Sequence, residues 1–169
     1  MKLELKSFIK YNLLEAMAQM SLPPGIIHMQ RESPDFWYEF LHLKELEQAN
    51  GLADGILKHL INVESHGDPK AKSQCGARGL FQIMPKNISG FDGNPLNYIA
   101  AAQYAAETLK KLHDHFGNYE DAVAAYNWGR GHVNRDPSLH TAPEETKKYV
   151  QAFKNAGIVK DIRMLKEIP

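Results

Sequence analysis

The chain has little that would staple, charge or anchor it. Cys75 is its single cysteine among 169 residues, which excludes an internal disulfide framework. No Cys-x-x-Cys or Cys/His spacing suggests a zinc site. The eight histidines are scattered, and His113 and His115, two apart, fall on different faces of a helix. No metal and no other cofactor is expected. Charge of one sign is also missing. The 20 Lys and Arg balance 20 Asp and Glu to a formal net charge of zero, so no global field draws the chain to nucleic acid or an anionic membrane. No apolar run approaches the ~20 residues of a membrane span, and stable membrane insertion is not expected. The start, MKLELKSFIKYNLLEAMAQM, mixes Lys and Glu into its apolar residues, unlike a signal peptide. The expectation is synthesis in the cytoplasm without a leader. With no internal repeat, low-complexity tract or long linker, the length suits one globular domain, expected to be a monomer.

What is present is mostly helical rhythm. Leu5, Phe8, Ile9, Leu13, Met17 and Met20 recur at helical spacing until SLPPG (21–25) stops them. From Pro34 one helix is expected to run to Asn50-Gly51, a helix stop. The next follows at once, with Leu52, Ile56, Leu57, Leu60, Ile61 and Val63 on its buried face, ending near Glu64 ahead of Gly67 and Pro69. Residues 65–93 keep no helical period and suggest at most a short irregular strand or extended loop. Asn94-Pro95 opens a long Ala-rich helix to Phe116 and Gly117. Asn118 caps a further helix ended by Gly129 and Gly131, and Thr141 to Glu144 has the spacing of a capping box before a last helix through Tyr149, Val150 and Phe153.

The chemistry concentrates where the second of these helices ends. Glu64 follows Leu60, Ile61 and Val63. Partial burial and the negative end of the helix dipole both disfavour its ionised form, which suits a proton donor near neutral pH. A solvated glutamate at a helix end is the commoner fate of such a residue, and the stretch that follows alters that balance. In ESHGDPKAKSQCGARGLFQIMP the residues Glu64-Ser65, Pro69, Ala71, Ser73, Gly76-Ala77, Gly79-Leu80, Gln82 and Met84-Pro85 resemble, without insertion or deletion, the signature of the lytic transglycosylases related to soluble lytic transglycosylase and goose-type lysozyme. The family's Ala-Tyr-Asn-x-Gly motif is matched by Tyr126, Asn127 and Gly129, and a weaker Thr-x-x-Tyr-Val by Thr146, Tyr149 and Val150. The chain departs from the family in having Gly67 where an aromatic residue is frequent, expected to loosen packing behind the acid, and Asn87 where Thr is frequent.

The resemblance implies a mainly α, lysozyme-like fold, α+β only through a minimal β or extended segment. The resemblance covers roughly residues 50–155, expected to be the catalytic domain, with 1–49 read from their own pattern as a helical segment packed on the domain and 156–169 as a tail. It makes Glu64 the single acid/base of an enzyme that cleaves the bond between N-acetylmuramic acid and N-acetylglucosamine and leaves 1,6-anhydromuramyl ends. Ser73, Gln82, Met84, Tyr126, Asn127 and Tyr149 become substrate-binding positions, with Asn127 shaping the site through backbone hydrogen bonds. Each also has a plainer use, as a loop polar group or as core. Phe91, Tyr98 and Trp128 are divided between sugar stacking and packing. The partner is the peptidoglycan glycan strand, reached through holin-type release or carriage in a virion. Two readings compete. A hydrolysing lysozyme would need a second carboxylate, for which Asp68 and Asp92 are candidates. A non-catalytic glycan-binding protein would need no acid at position 64.

Overall fold

A computed structural model describes residues 30–84 and 97–159. The expected helix at residues 5–20, the Asn94-Pro95 start, Phe91, Asp92, Asn87 and most of the C-terminal tail lie outside them. Among the described residues there are seven helices: α1 (Pro34–Phe40), α2 (Leu43–Asn50), α3 (Ile56–Ser65), α4 (Tyr98–Phe116), α5 (Tyr119–Trp128), α6 (Arg130–Arg135) and α7 (Glu144–Asn155). β structure among them is limited to two isolated antiparallel bridges, Lys72 with Arg78 and Arg78 with Ile83. The residues cluster into two compact units that divide between Ala106 and Glu107, within α4.

In the first unit the helix expected from Pro34 to Asn50 is two. Ser33 caps α1, its Oγ accepting the Phe36 amide at 3.1 Å, and Pro34 occupies the first helical turn. The chain then breaks at Leu41 and His42, the latter left-handed at φ 48°. The reason lies in the side chains. Leu41 and Leu43 are two apart and one straight helix would put them on different faces, whereas the break buries both. Gly51, at φ 67°, ends α2 as expected. Helices α1, α2 and α3 pack on one another through Trp37, Leu46, Ile56, Leu57, Leu60 and Ile61, all buried. Leu52 is buried ahead of α3, and Val63 is only half-buried, so it leaves the inward face it was assigned. Tyr98 is buried with its ring edge-on to Trp37 at 5.1 Å, a core residue and not an exposed platform for sugar. In the first unit Ala77, Leu80, Phe81 and Ile83 also bury the loop after α3.

In the second unit α5 packs on α6 and α7. The Oδ1 of Asn118 accepts the Asp121 amide at 2.8 Å and caps α5 as expected. Gly129, at φ 96°, ends α5 and starts α6, so Gly131 lies inside a helix and stops nothing. The capping box does not form either. Thr141 turns to Asp136, its amide and hydroxyl reaching Oδ2 at 2.6 and 2.7 Å, and α7 begins after Pro143 with no side-chain cap. The Asp136 carboxylate offers a nearer, charged acceptor. A third short bond from Ser138 Oγ, 2.8 Å, completes the turn.

Candidate active site

Glu64 is the penultimate residue of α3 and is half-buried. Ile56, Leu57, Leu60 and Ile61 turn one face of α3 inward, and position 64, at i+7, i+4 and i+3 from Leu57, Leu60 and Ile61, continues that face into the last turn of the helix. The helix ends at once afterwards. His66 is left-handed at φ 49°, its amide donating to the Asn62 carbonyl at 3.2 Å, and Gly67 follows at φ 76°. Two successive left-handed residues turn the chain back sharply. A β-carbon on Gly67 would stand 1.8 Å from the Glu32 carbonyl oxygen and 3.4 Å from the Trp37 ring. The glycine that departs from the family therefore does not loosen packing behind the acid. It admits the Glu32 backbone and the indole of Trp37, which fill the space.

The loop that follows is built from short backbone pairings. The Ala71 amide donates to the Asp68 carbonyl, Gly76 to Ser73, and Gly79 to Ala71, while Arg78 and Ile83 exchange two bonds at 3.1 and 3.0 Å. Gly76 and Gly79 are left-handed, at φ 88° and 78°, a conformation that glycine adopts without steric cost. Gln82 sits at the crossing of the loop, itself at φ 46°, and its Nε2 donates to the Ala71 carbonyl at 3.1 Å and the Gly79 carbonyl at 2.9 Å. Both limbs of the loop are thus tied through one amide, whose carbonyl end is the part left for a ligand. Ser73 closes its own turn, with Oγ accepting the Ala77 amide at 3.0 Å; its hydroxyl hydrogen remains to be donated. Met84 is half-buried at the end of the described segment. Asp68, one candidate second carboxylate, accepts the Lys70 amide at 2.8 Å and pairs with Arg31 at 3.5 Å, with its side chain 29% exposed.

The second unit holds the remaining predicted residues. Tyr126 and Asn127 lie in the last turn of α5, both half-buried. Asn127 is linked through its side chain, Oδ1 accepting the Thr146 hydroxyl at 2.7 Å, where the sequence suggests backbone bonds. That bond joins the second motif to the third. Tyr149, one turn on in α7, is buried with its ring 5.3 Å from Phe153. Trp128 is half-buried and stacks on His132 at 4.8 Å and 18°. No group of three His, Cys, Asp or Glu among the described residues could hold a metal ion.

Two buried residues at the two ends of α3 escape the motif reading. Glu47 is fully buried in α2. Its Oε1 accepts the Leu57 amide at 2.7 Å, and its Oε2 accepts the Gly55 amide and the Tyr38 hydroxyl, each at 2.8 Å. Gly55 and Leu57 begin α3, so this carboxylate caps the helix that ends in Glu64, supplying the acceptor Gly55 lacks. Burial pushes its pKa up, against the downward pull of those three bonds. Burial, then the bond to Glu47, holds the Tyr38 phenol well above its ordinary range. A signal existed in the sequence: Leu43, Leu46, Glu47 and Asn50 follow the i, i+3, i+4, i+7 register of a buried face. The other missed residue is Trp37, whose Nε1 donates to the Gly67 carbonyl at 2.8 Å.

Residues 42–149 match the family described as Transglycosylase SLT domain. The chain belongs to that family. Among curated SLT relatives, the membrane-bound lytic murein transglycosylase F of Saccharophagus degradans is 36% identical over 101 residues, 54% of this chain and 20% of that protein. The membrane-bound lytic murein transglycosylase F 2 of Alkalilimnicola ehrlichii is 28% identical over 100 residues, 54% of this chain and 22% of that one. A transglycosylase of Enterobacteria phage PRD1 is 26% identical over 106 residues, 62% and 40% of the two chains. The chain therefore spans between a fifth and two fifths of the length of these relatives. The 70 kDa soluble lytic transglycosylase of Escherichia coli superposes with a TM-score of 0.60 at 22% identity, over 74% of this chain and 26% of that one. The Slt transglycosylase of Pseudomonas aeruginosa gives 0.57 at 22%, over 71% and 24%. The fold is that of the Slt transglycosylases, mainly α as the sequence implies.

Proposed function

We propose that this SLT chain is a peptidoglycan lytic transglycosylase that cleaves the β-1,4 bond from N-acetylmuramic acid to N-acetylglucosamine with Glu64 as its one acid/base. The observation that carries the reading is the placement of Glu64: half-buried in the last turn of α3, directly before the sharp turn at His66 and Gly67. Glu64 protonates the glycosidic oxygen as the bond to the muramyl anomeric carbon breaks. The substrate's acetamido oxygen stabilises the positive charge left there. The carboxylate then takes the proton of the muramyl 6-hydroxyl, whose oxygen closes on the anomeric carbon. No water is consumed, Glu64 ends as it began, and the tethered hydroxyl competes through its high effective concentration.

Ser73, Gln82, Met84 and Tyr126 are the positions proposed to touch the sugar, with Asn127 and Tyr149 supporting them. The engagement of Asp68 by Arg31 and the Lys70 amide favours the one-carboxylate route over hydrolysis. The likeness to a phage transglycosylase supports an enzyme that reaches the wall by release from the cell or carriage in a virion, and none of the described helices is long and apolar enough to cross a membrane.

Mass analysis of products from purified peptidoglycan tests the reaction. Anhydromuramyl ends are expected, and exclusively reducing muramyl ends would overturn the transglycosylase reading in favour of a muramidase. Glu64→Gln is expected to lower the rate by about 10²–10⁴-fold while glycan binding persists. Undiminished lysis by that variant would remove Glu64 from the chemistry.

A further inference from the structure

We propose that the stretch Arg31–Trp37 is a latch that positions Glu64, acting through the carbonyl of Gly67; the inference rests on the acid role of Glu64 proposed above. Gly67 lies three residues beyond the acid, and its carbonyl accepts two bonds from one short piece of chain, the Glu32 amide at 3.1 Å and the Trp37 indole Nε1 at 2.8 Å. A third tie, Arg31 to Asp68 at 3.5 Å, closes on the next residue. The stretch precedes the matched family segment, which begins at residue 42.

The turn needs such a restraint. His66 adopts φ 49° without being glycine, a conformation that persists only where its surroundings impose it. His66 is exposed, so its side chain is not packed into place. The restraint falls on Gly67, which is buried and fits so closely that its missing β-carbon is what leaves room for Glu32. Trp37 is itself fixed, with 0% of its surface exposed and its ring edge-on to Phe36, Phe40 and Tyr98. The indole N–H is therefore a rigid donor. It holds the first residues beyond α3, and through them the last turn of the helix and the direction in which Glu64 leaves it. A displacement of the order of 1 Å in an acid is enough to cost about 10²-fold in rate.

Trp37 is a positioning residue on this view, and two variants remove the two donors separately. Trp37→Phe keeps an aromatic ring in the core but loses the indole N–H together with part of the ring volume, so its kcat is compared per folded molecule. Glu32→Pro removes the backbone N–H and leaves Trp37 in place. Both are assayed on glycan strands well below their melting temperatures, alongside backbone amide exchange of residues 62–68. Each variant is expected to lower kcat about tenfold with KM within about twofold of the parent, and to speed exchange at residues 65–68 selectively. A merely structural role would reduce activity only in proportion to the folded fraction. Unchanged kcat per folded molecule in both variants, or unchanged exchange at residues 65–68, would overturn the latch. If the parent protein cleaves no glycan, the proposed function fails and the exchange measurement still decides whether the latch exists.

Discussion

Glu47 and Glu64 are seventeen positions apart and meet opposite demands. Glu64 is half-buried at the C-terminal end of α3, while Glu47 is fully buried beside the N-terminal end of the same helix. A buried carboxylate is tolerable only with its acceptor capacity filled, and Glu47 has two amides and a phenol to do so. Glu47→Gln puts an NH₂ where one oxygen accepts, setting donor against donor. We expect a loss of about 1–3 kcal/mol at neutral pH, read from the urea midpoint at unchanged slope. Glu47→Ala, which leaves the Tyr38 hydroxyl and two amides without that acceptor, is expected to cost more. Gly67→Ala tests a different physical limit. The left-handed φ costs about 1–2 kcal/mol in an L-residue, and the clash with the Glu32 carbonyl at 1.8 Å adds a backbone displacement. A melting temperature within 1–2 °C of the parent, about the shift that a few tenths of a kcal/mol would give, would contradict the close approach.

At the scale of elements, the helices are joined by a few buried polar links. Asn127 in α5 and Thr146 in α7 form one of these, with Thr146 2% exposed. A second runs from Glu120 in α5 to Lys154 in α7 at 3.1 Å, with side chains 10% and 21% exposed. The two links lie near opposite ends of α5, and between them Ala122, Val123 and Ala125 are buried. Small side chains let helices approach closely, and the polar links then select the register. Thr146→Val keeps the branched shape and removes the hydroxyl donor, leaving Asn127 Oδ1 without it. The expected cost is about 1–3 kcal/mol, measured by denaturant unfolding. A double-mutant cycle with Asn127→Ala should show a coupling well above the few tenths of a kcal/mol found for independent sites.

For the whole molecule, the two units carry pH levers of opposite sign. In the first, the Glu47 pKa is raised in the folded state, so its contribution is fully present below the ordinary carboxylate range and is lost as pH rises through the raised value. In the second, hydrogen bonds from the Thr141 amide and hydroxyl and from Ser138 hold the Asp136 carboxyl far below its ordinary range. Its contribution is present above that range and lost as pH falls through the depressed value. Trp37 belongs to the first unit and Trp128 to the second, so single-tryptophan variants report on each. Mild acidification from neutrality should stabilise the Trp37 signal, an effect that Glu47→Gln removes. Strong acid should weaken the Trp128 signal, and Asp136→Asn should flatten that loss. A Trp37 profile unchanged by Glu47→Gln would show that another group governs the first unit's response.

The sequence by itself determined the helical class, the helix ends at Asn50-Gly51 and Asn118, the irregular loop after α3, and the register of the motif around Glu64. These are local matters: periodicity sets which face of a helix is apolar, and Gly, Pro and Asn set where it can begin or end. Tertiary structure decided the rest. Leu41 and Leu43 bury together only if the expected long helix breaks at His42. Thr141 abandons α7 for a carboxylate five residues earlier that no short-range pattern ranks above a capping box. Tyr98 turns inward because Trp37, 61 positions away, presents an edge to its ring. Gly67, which in sequence reads as a weakened family position, is a contact with Glu32 across 35 residues of chain. A hydrogen bond or a close approach between distant residues leaves no periodic trace, so only the folded chain reveals which groups close on the turn after Glu64.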